Sequence, residues 1–160
     1  MIQPGDRLPE VKFNVMSDDG AIQLSTSDIF AGKKVVLFGV PGAFTPTCHG
    51  NHLPGFVDNL PALRDKGVDE VAVVAVNDMH VMKAWAEASG AKGRIRFLAD
   101  GAADFARATG LAVDLSEVGM GIRVQRFSMI VEDGVVTALN TGDKPGQADV
   151  AGAARILDQL

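Results

Sequence analysis

The segment VPGAFTPTCHG, residues 40–50, holds Cys48, the one cysteine of the chain. Several chemistries suit a cysteine set there. As a thiolate it is a nucleophile, because the thiolate and not the thiol attacks. With His52, four residues on and on the same helical face, it is a candidate metal-ligand pair. A structural zinc site takes about four ligands, however, and no second Cys/His pair stands nearby. With His49, His52 or His80 as base it is a candidate hydrolase nucleophile, which needs a third group to orient the base. The plain alternative is an inert buried thiol, since free cysteine is among the most buried residue types.

The neighbours of Cys48 favour an activated thiolate. The residue falls where a helix starts, and the unpaired N–H groups and positive dipole end of a helix stabilise an anion. Thr45, three residues earlier, can turn its hydroxyl back toward the sulfur. Pro41 and Pro46 stiffen the loop, and Gly42 lets a backbone or substrate come close. Arg123 and Arg126 form a basic pair further on. Arg126 opens the segment RFSMIVEDG. At the mouth of a strand it is either a salt-bridge partner or a guanidinium reaching the Cys48 site.

These residues need a scaffold, and the chain supplies one. Residues 34–40 and 71–76 (VAVVAV) are apolar without alternation, as in central strands covered on both faces. Residues 11–15 alternate, turn at Asp18-Asp19-Gly20 and return over 21–24 as a hairpin. Thr26-Ser27-Asp28 offers a cap for a short helical turn. After Cys48, Phe56, Leu60 and Leu63 share a helical face, with Pro54 and Pro61 predicting a kinked or two-part helix that Gly67 ends. Asn77 or Asp78 caps the next helix, whose inward face is expected at Val81, Trp85 and Ala88; Met79 and Met82 are core or interface packing. A strand at 95–98, a helix at 102–109, a hairpin across Glu132-Asp133-Gly134 and a helix over 148–160 follow, the last with Ile156 and Leu160 inward. Asp114 to Glu117 reads as an acidic turn. Gly119-Met120-Gly121 reads as a flexible loop, since it follows no strand and opens no helix. This order gives an α/β fold of thioredoxin-like type: a mixed central sheet flanked by helices, with an N-terminal β-hairpin extension. Chemistry in such sheets sits beyond the carboxyl ends of the strands, where Cys48 lies.

The totals bound the answer. The 160 residues suit a single domain over 1–160, with 47% hydrophobic and 22% charged residues. A net charge of −5 gives no basic footprint for nucleic acid. No apolar run approaches the ~18 residues of a membrane span, and the N-terminus lacks the pattern of a signal peptide. A lone cysteine suits a reducing, cytoplasmic setting.

The blocks PGAFTPTC (41–48), HLPGF (52–56), VNDMHVMKAW (76–85), FLADG (97–101) and RFSMIVEDG (126–134) together resemble the peroxiredoxin family, in its atypical type II, peroxiredoxin-five-like form. The resemblance covers nearly the whole chain. It implies a thiol peroxidase that needs no bound cofactor. Cys48 would attack a hydroperoxide and become a sulfenic acid. Thr45 would hydrogen-bond the thiolate and the substrate oxygen, Arg126 would stabilise both, and Pro41 would shield the site from water. Family members often resolve the sulfenic acid with a second cysteine, some of them at the position of Val73. None exists here, so the resemblance implies a one-cysteine cycle completed by an external thiol. Family analogy favours glutathione with glutaredoxin, with thioredoxin the alternative. It also implies a homodimer packed through loops near the active site, including the Met79 region and residues 119–122. The competing reading is a redox-regulated thioredoxin-like interaction module without catalysis.

Overall fold

The computed structural model describes residues 1–144 and 146–160. Its centre is a seven-stranded sheet in the order β2-β1-β5-β4-β3-β8-β9. Strands β3 (Lys34–Gly39), β4 (Glu70–Ala75) and β5 (Arg96–Ala99) run parallel. The hairpin of β1 (Lys12–Ser17) and β2 (Gly20–Ser25) adds to one side, and that of β8 (Phe127–Glu132) and β9 (Val135–Asn140) to the other, both antiparallel.

The unbroken apolar runs are explained by two cores. Val36 and Phe38 of β3 pair in register with Val71 and Val73 of β4 and face one cluster, which also holds Cys48, Phe56 and Trp85. Val35, Leu37, Ala72 and Val74 face the other, with Phe13, Phe105 and Phe127. Both faces of each central strand are covered, so every residue can be apolar.

The helices fall as read, with informative shifts. Helix α1 (Thr26–Phe30) is capped by Ser25, one residue before the expected cap, in a reciprocal box with Asp28. After β3 the chain is helical from Pro46, opens into a π-turn over Cys48–His52, and continues as α2 (Leu53–Asp58) and α3 (Leu60–Asp65), broken at Asn59 before Pro61. Asp78 caps α4 (Met79–Ala88) through the N–H groups of His80 and Val81. Its buried face is Met82, Trp85 and Ala86, rotated from the expected Val81/Trp85/Ala88 stripe; Ala88 is exposed. Met82 and Ala86 straddle Trp85 at helical spacing, and this trio is what meets the sheet. Helix α5 (Asp104–Thr109) is capped from a distance, the Asp100 carboxylate accepting the N–H groups of Phe105 and Ala106.

Two expectations are corrected. Residues 112–124 are not merely turn and loop. Strands β6 (Ala112–Leu115) and β7 (Gly121–Val124) form a small antiparallel sheet, joined through a tight turn at Ser116–Val118. The final helix, α6 (Ala153–Gln159), starts five residues later than read. The preceding residues are held by the Asp143 carboxylate, which takes the N–H groups of Asp149, Val150 and Ala151 out of helical pairing.

Candidate active site

Cys48 lies beyond the carboxyl end of β3 and is fully buried. It sits in the first turn of the helical segment that opens at Pro46, where N–H groups lack partners four residues back. Proline suits that opening position because its missing N–H would be unpaired anyway. The π-turn then closes with the Leu53 N–H donating to the Cys48 carbonyl.

The Cys48 sulfur meets an arginine. Arg126 Nη2 donates to Cys48 Sγ at 3.2 Å, and Arg126 Nη1 donates to His52 Nδ1 at 2.8 Å. Among the described residues Arg126 pairs with no carboxylate, so the salt-bridge reading of this residue fails. Its position follows from β8. Gly39 of β3 stands opposite Phe127 of β8, and a Cβ at Gly39 would collide with the Phe127 ring. Glycine there seats the residue next to Arg126 flat against the sheet.

His52 holds the guanidinium from behind. It is 2% exposed, and its ring lies 4.9 Å from that of Phe38 and 5.5 Å from that of Phe56. Burial is the main cause that lowers its pKa from 6.5 to about 4, with the Arg126 charge acting the same way. The hydrogen bond to Ala151 and the charge of Asp143 oppose this shift. The ring is therefore neutral at pH 7. The Ala151 carbonyl, 2.8 Å from Nε2, can only accept, so Nε2 carries the proton and Nδ1 is free to accept from Arg126.

This arrangement answers the two histidine readings. Cys48 and His52 do share a face, as their spacing predicts, but they converge on a guanidinium. A cation already occupies the place between them. Among the described residues no group of three or more His, Cys, Asp or Glu side chains is placed to hold a metal. The hydrolase reading needs a histidine on the sulfur, and the sulfur has Arg126 instead. His49 Nδ1 accepts from Trp85 Nε1 at 3.0 Å, and His80 is exposed on α4.

The loop between β3 and Cys48 is tied at several points. Asn77 Oδ1 accepts from the Ala43 N–H at 3.0 Å. Phe44, with φ of +65°, is a bulky residue in the left-handed region and 46% exposed. Thr45 differs from the reading of a hydroxyl turned to the sulfur: its Oγ1 donates to the Gly42 carbonyl at 2.7 Å. The local turn offers a carbonyl acceptor, and the hydroxyl proton goes there. Half-buried Pro41 accepts through its carbonyl from Arg123 Nη1 at 3.2 Å, while Arg123 Nε donates to the Met120 carbonyl at 2.8 Å. Arg123, noted in the sequence without a role, thus clamps the Cys48 loop to the β6–β7 sheet. A Cβ on Gly42 would sit 3.0–3.3 Å from the side-chain ends of Thr45, Arg123 and Met120, so the glycine leaves them room at the clamp. His52 is the residue whose role was missed. Its contacts with Arg126 and Ala151 span 74 and 99 residues, and one of them is to main chain.

The Redoxin family model matches residues 3–157. Peroxiredoxin-2C of Oryza sativa subsp. japonica is 46% identical over 157 residues, covering 98% of this chain and 96% of the relative. Peroxiredoxin-2B of Arabidopsis thaliana is 40% identical over 160 residues, covering 99% and 98%. The crystal structure of reduced Prx3 from Vibrio vulnificus in complex with H2O2 superposes with a TM-score of 0.93 at 46% identity, covering 99% of each chain. A cysteine at the start of a helix, faced by a guanidinium that no carboxylate among the described residues neutralises, on a mixed thioredoxin-like sheet, and whole-length likeness to these proteins lead to the same place: the chain belongs to the peroxiredoxins, the thiol-dependent peroxidases.

Proposed function

We propose that Cys48 is the peroxidatic nucleophile of a one-cysteine cycle acting on hydrogen peroxide and organic hydroperoxides. The observation that carries this is the Arg126 N–H on Cys48 Sγ. A fixed cation donating to sulfur stabilises thiolate over thiol. The thiolate attacks one peroxide oxygen. The S–O bond forms as the O–O bond breaks, sulfur is oxidised to a sulfenic acid, and the other oxygen takes up a proton and leaves as water or alcohol. Negative charge builds on that leaving oxygen. Arg126 and the Cys48 backbone N–H are donors already in place to meet it. Thr45 has its proton on Gly42, so we assign its oxygen as acceptor for a peroxide O–H. Pro41 keeps water from the sulfur. The Vibrio vulnificus relative, crystallised with H2O2, supports hydrogen peroxide as a substrate here.

Resolution comes from outside, because the chain has one cysteine. An external thiol condenses with the sulfenic acid, releasing water and forming a mixed disulfide; a second thiol then exchanges with that disulfide and frees Cys48. Cys48 is buried, so the segments around it must part to admit the peroxide and, more widely, the thiol. Glutathione with glutaredoxin is the proposed reductant, and a reducing cytoplasm the proposed setting. A homodimer through the active-site rim is supported by exposed Phe44, Val118 and Ile122, all on the Cys48 loop or the β6–β7 unit.

The test is peroxide consumption with glutathione/glutaredoxin and with thioredoxin, side by side. Many turnovers with the first system are expected, and none in Cys48→Ser. Turnover with thioredoxin alone would replace the reductant. A single oxidation per chain with either system would favour the non-catalytic module.

A further inference from the structure

We propose that Asp143 is a positioning residue for Cys48: its carboxylate fixes the turn at residues 149–151, whose Ala151 carbonyl selects the His52 tautomer that holds Arg126 on the sulfur. The inference rests on the reading of Cys48 as the reacting atom.

A neutral histidine has two tautomers, and only one serves here. With the proton on Nδ1, that N–H would face the Arg126 N–H, donor against donor, and Nε2 would turn a lone pair on the Ala151 carbonyl. Both contacts would be lost together. Arg126 can only donate and the Ala151 carbonyl can only accept, so the two together fix the tautomer, and displacing the carbonyl removes one of its two determinants.

No regular element places that carbonyl. Ala151 lies after β9 and before α6, in a turn. One main-chain bond, from the Gly152 N–H to the Asp149 carbonyl at 3.3 Å, closes the turn, and one side chain ties it down. Asp143 Oδ1 accepts from the N–H groups of Asp149 at 3.1 Å and Val150 at 2.8 Å, and Oδ2 accepts from the Ala151 N–H at 2.8 Å. Charge-assisted bonds of this kind are roughly twice as strong as neutral ones. The Asp143 charge also acts on the His52 ring, favouring its protonated form, while Arg126 and burial oppose it.

The carboxylate and the guanidinium share an anchor. Ser128 of β8 pairs with Asn140 of β9, and Asn140 Nδ2 donates to Ser128 Oγ at 3.2 Å. Arg126 lies just before that pair and Asp143 just after it. Both leave the same end of one hairpin. The path Arg126, β8, β9, Asp143, Ala151, His52 and back to Arg126 is thus a closed ring. Asn140 and Gln159 exchange two further 2.8 Å amide bonds, which tie α6 to the same point.

Asp143→Asn puts an NH2 group on one side of the turn, so that one of the two oxygen acceptors is gone. The test uses the full chain. The 15N shifts of the His52 ring report its tautomer, absorbance at 240 nm reports the Cys48 thiolate, and peroxide kinetics report the chemistry. Wild type is expected to show a single Nε2–H tautomer. Asp143→Asn is expected to show mixed tautomers, a smaller thiolate fraction at pH 7 and about tenfold slower peroxide reduction, the scale of other lost orienting contacts. Asp143→Glu, which keeps both oxygens, is expected to recover most of the thiolate. An Nδ1–H tautomer in wild type overturns the proposal without any variant. So does a folded Asp143→Asn with His52 and thiolate signals like wild type. The tautomer and thiolate readings need no turnover, so a wild type inactive on peroxide would fail the proposed function and leave this inference to its own signals.

Discussion

Two arginines stand at opposite ends of the parallel strands, and they are used in opposite ways. Arg96, at the start of β5, is hydrogen-bonded to Glu70 at the start of β4, with Lys33 at 3.5 Å from the same carboxylate. Its charge is neutralised where it stands. Arg126, at the other end, gives its two terminal nitrogens to a neutral histidine and a sulfur. A neutral acceptor orients a guanidinium without cancelling its charge, so the field stays available to an anion. The residue type does not make the site. The acceptor behind it does.

The sharpest way to break this comparison is to remove each arginine in turn. Arg126→Ala should cut the rate of peroxide attack by about 10²–10³, the cost of losing one preorganised donor to a developing oxyanion. The thiolate absorbance at pH 7 should fall with it. Arg96→Ala should leave both unchanged. A stopped-flow series in which the two variants slow equally would dissolve the distinction.

That distinction was partly legible in the sequence. The segments 34–40 and 71–76 announced central strands because both of their faces are buried. Cys48 and Arg126 stood out because motif blocks are contiguous. His52 stands out there only as a candidate ligand or base, because its actual partners, Arg126 and the Ala151 carbonyl, lie 74 and 99 residues away; Asp143 does not stand out, because its partners are main-chain N–H groups, which carry no residue-specific signal. The β6–β7 sheet was missed for a different reason. Its strands have four residues each and are mostly part-exposed, so the alternation in Val113-Asp114-Leu115 and Ile122-Arg123-Val124 is too short to announce a strand. The stripe on α4 was misplaced because valine and alanine offered an apolar pattern as good as that of Met82 and Ala86.

Acid should separate the two ends next. His52 titrates at about 4 in the folded chain and at 6.5 when free. Between those values the unfolded chain binds a proton that the folded chain refuses, so stability falls as pH drops from 6.5 to about 4. The loss from this group totals about 3 kcal/mol. Denaturant melts of wild type and His52→Gln across pH 4–7 isolate it, with the variant expected to lose that slope. Parallel curves would mean that His52 is not held neutral. The site then fails from its own side, because a protonated His52 can no longer accept from Arg126.

The smallest effect is expected where the charge is already neutralised. In Arg96→Ala, Glu70 keeps Lys33 as a partner and remains 18% exposed at its side chain, so it is not left as a buried unpaired charge. Arg96 itself is 34% exposed, and ion pairs in such settings contribute about 0–1 kcal/mol. Thermal melts should show a fall of no more than about 2–4 °C. What remains should shrink further in high salt, since exposed pairs are screened. A larger, salt-insensitive loss would mean that the Glu70–Arg96 pair holds the strand starts together, and the two ends of the sheet would then be more alike than their acceptors suggest.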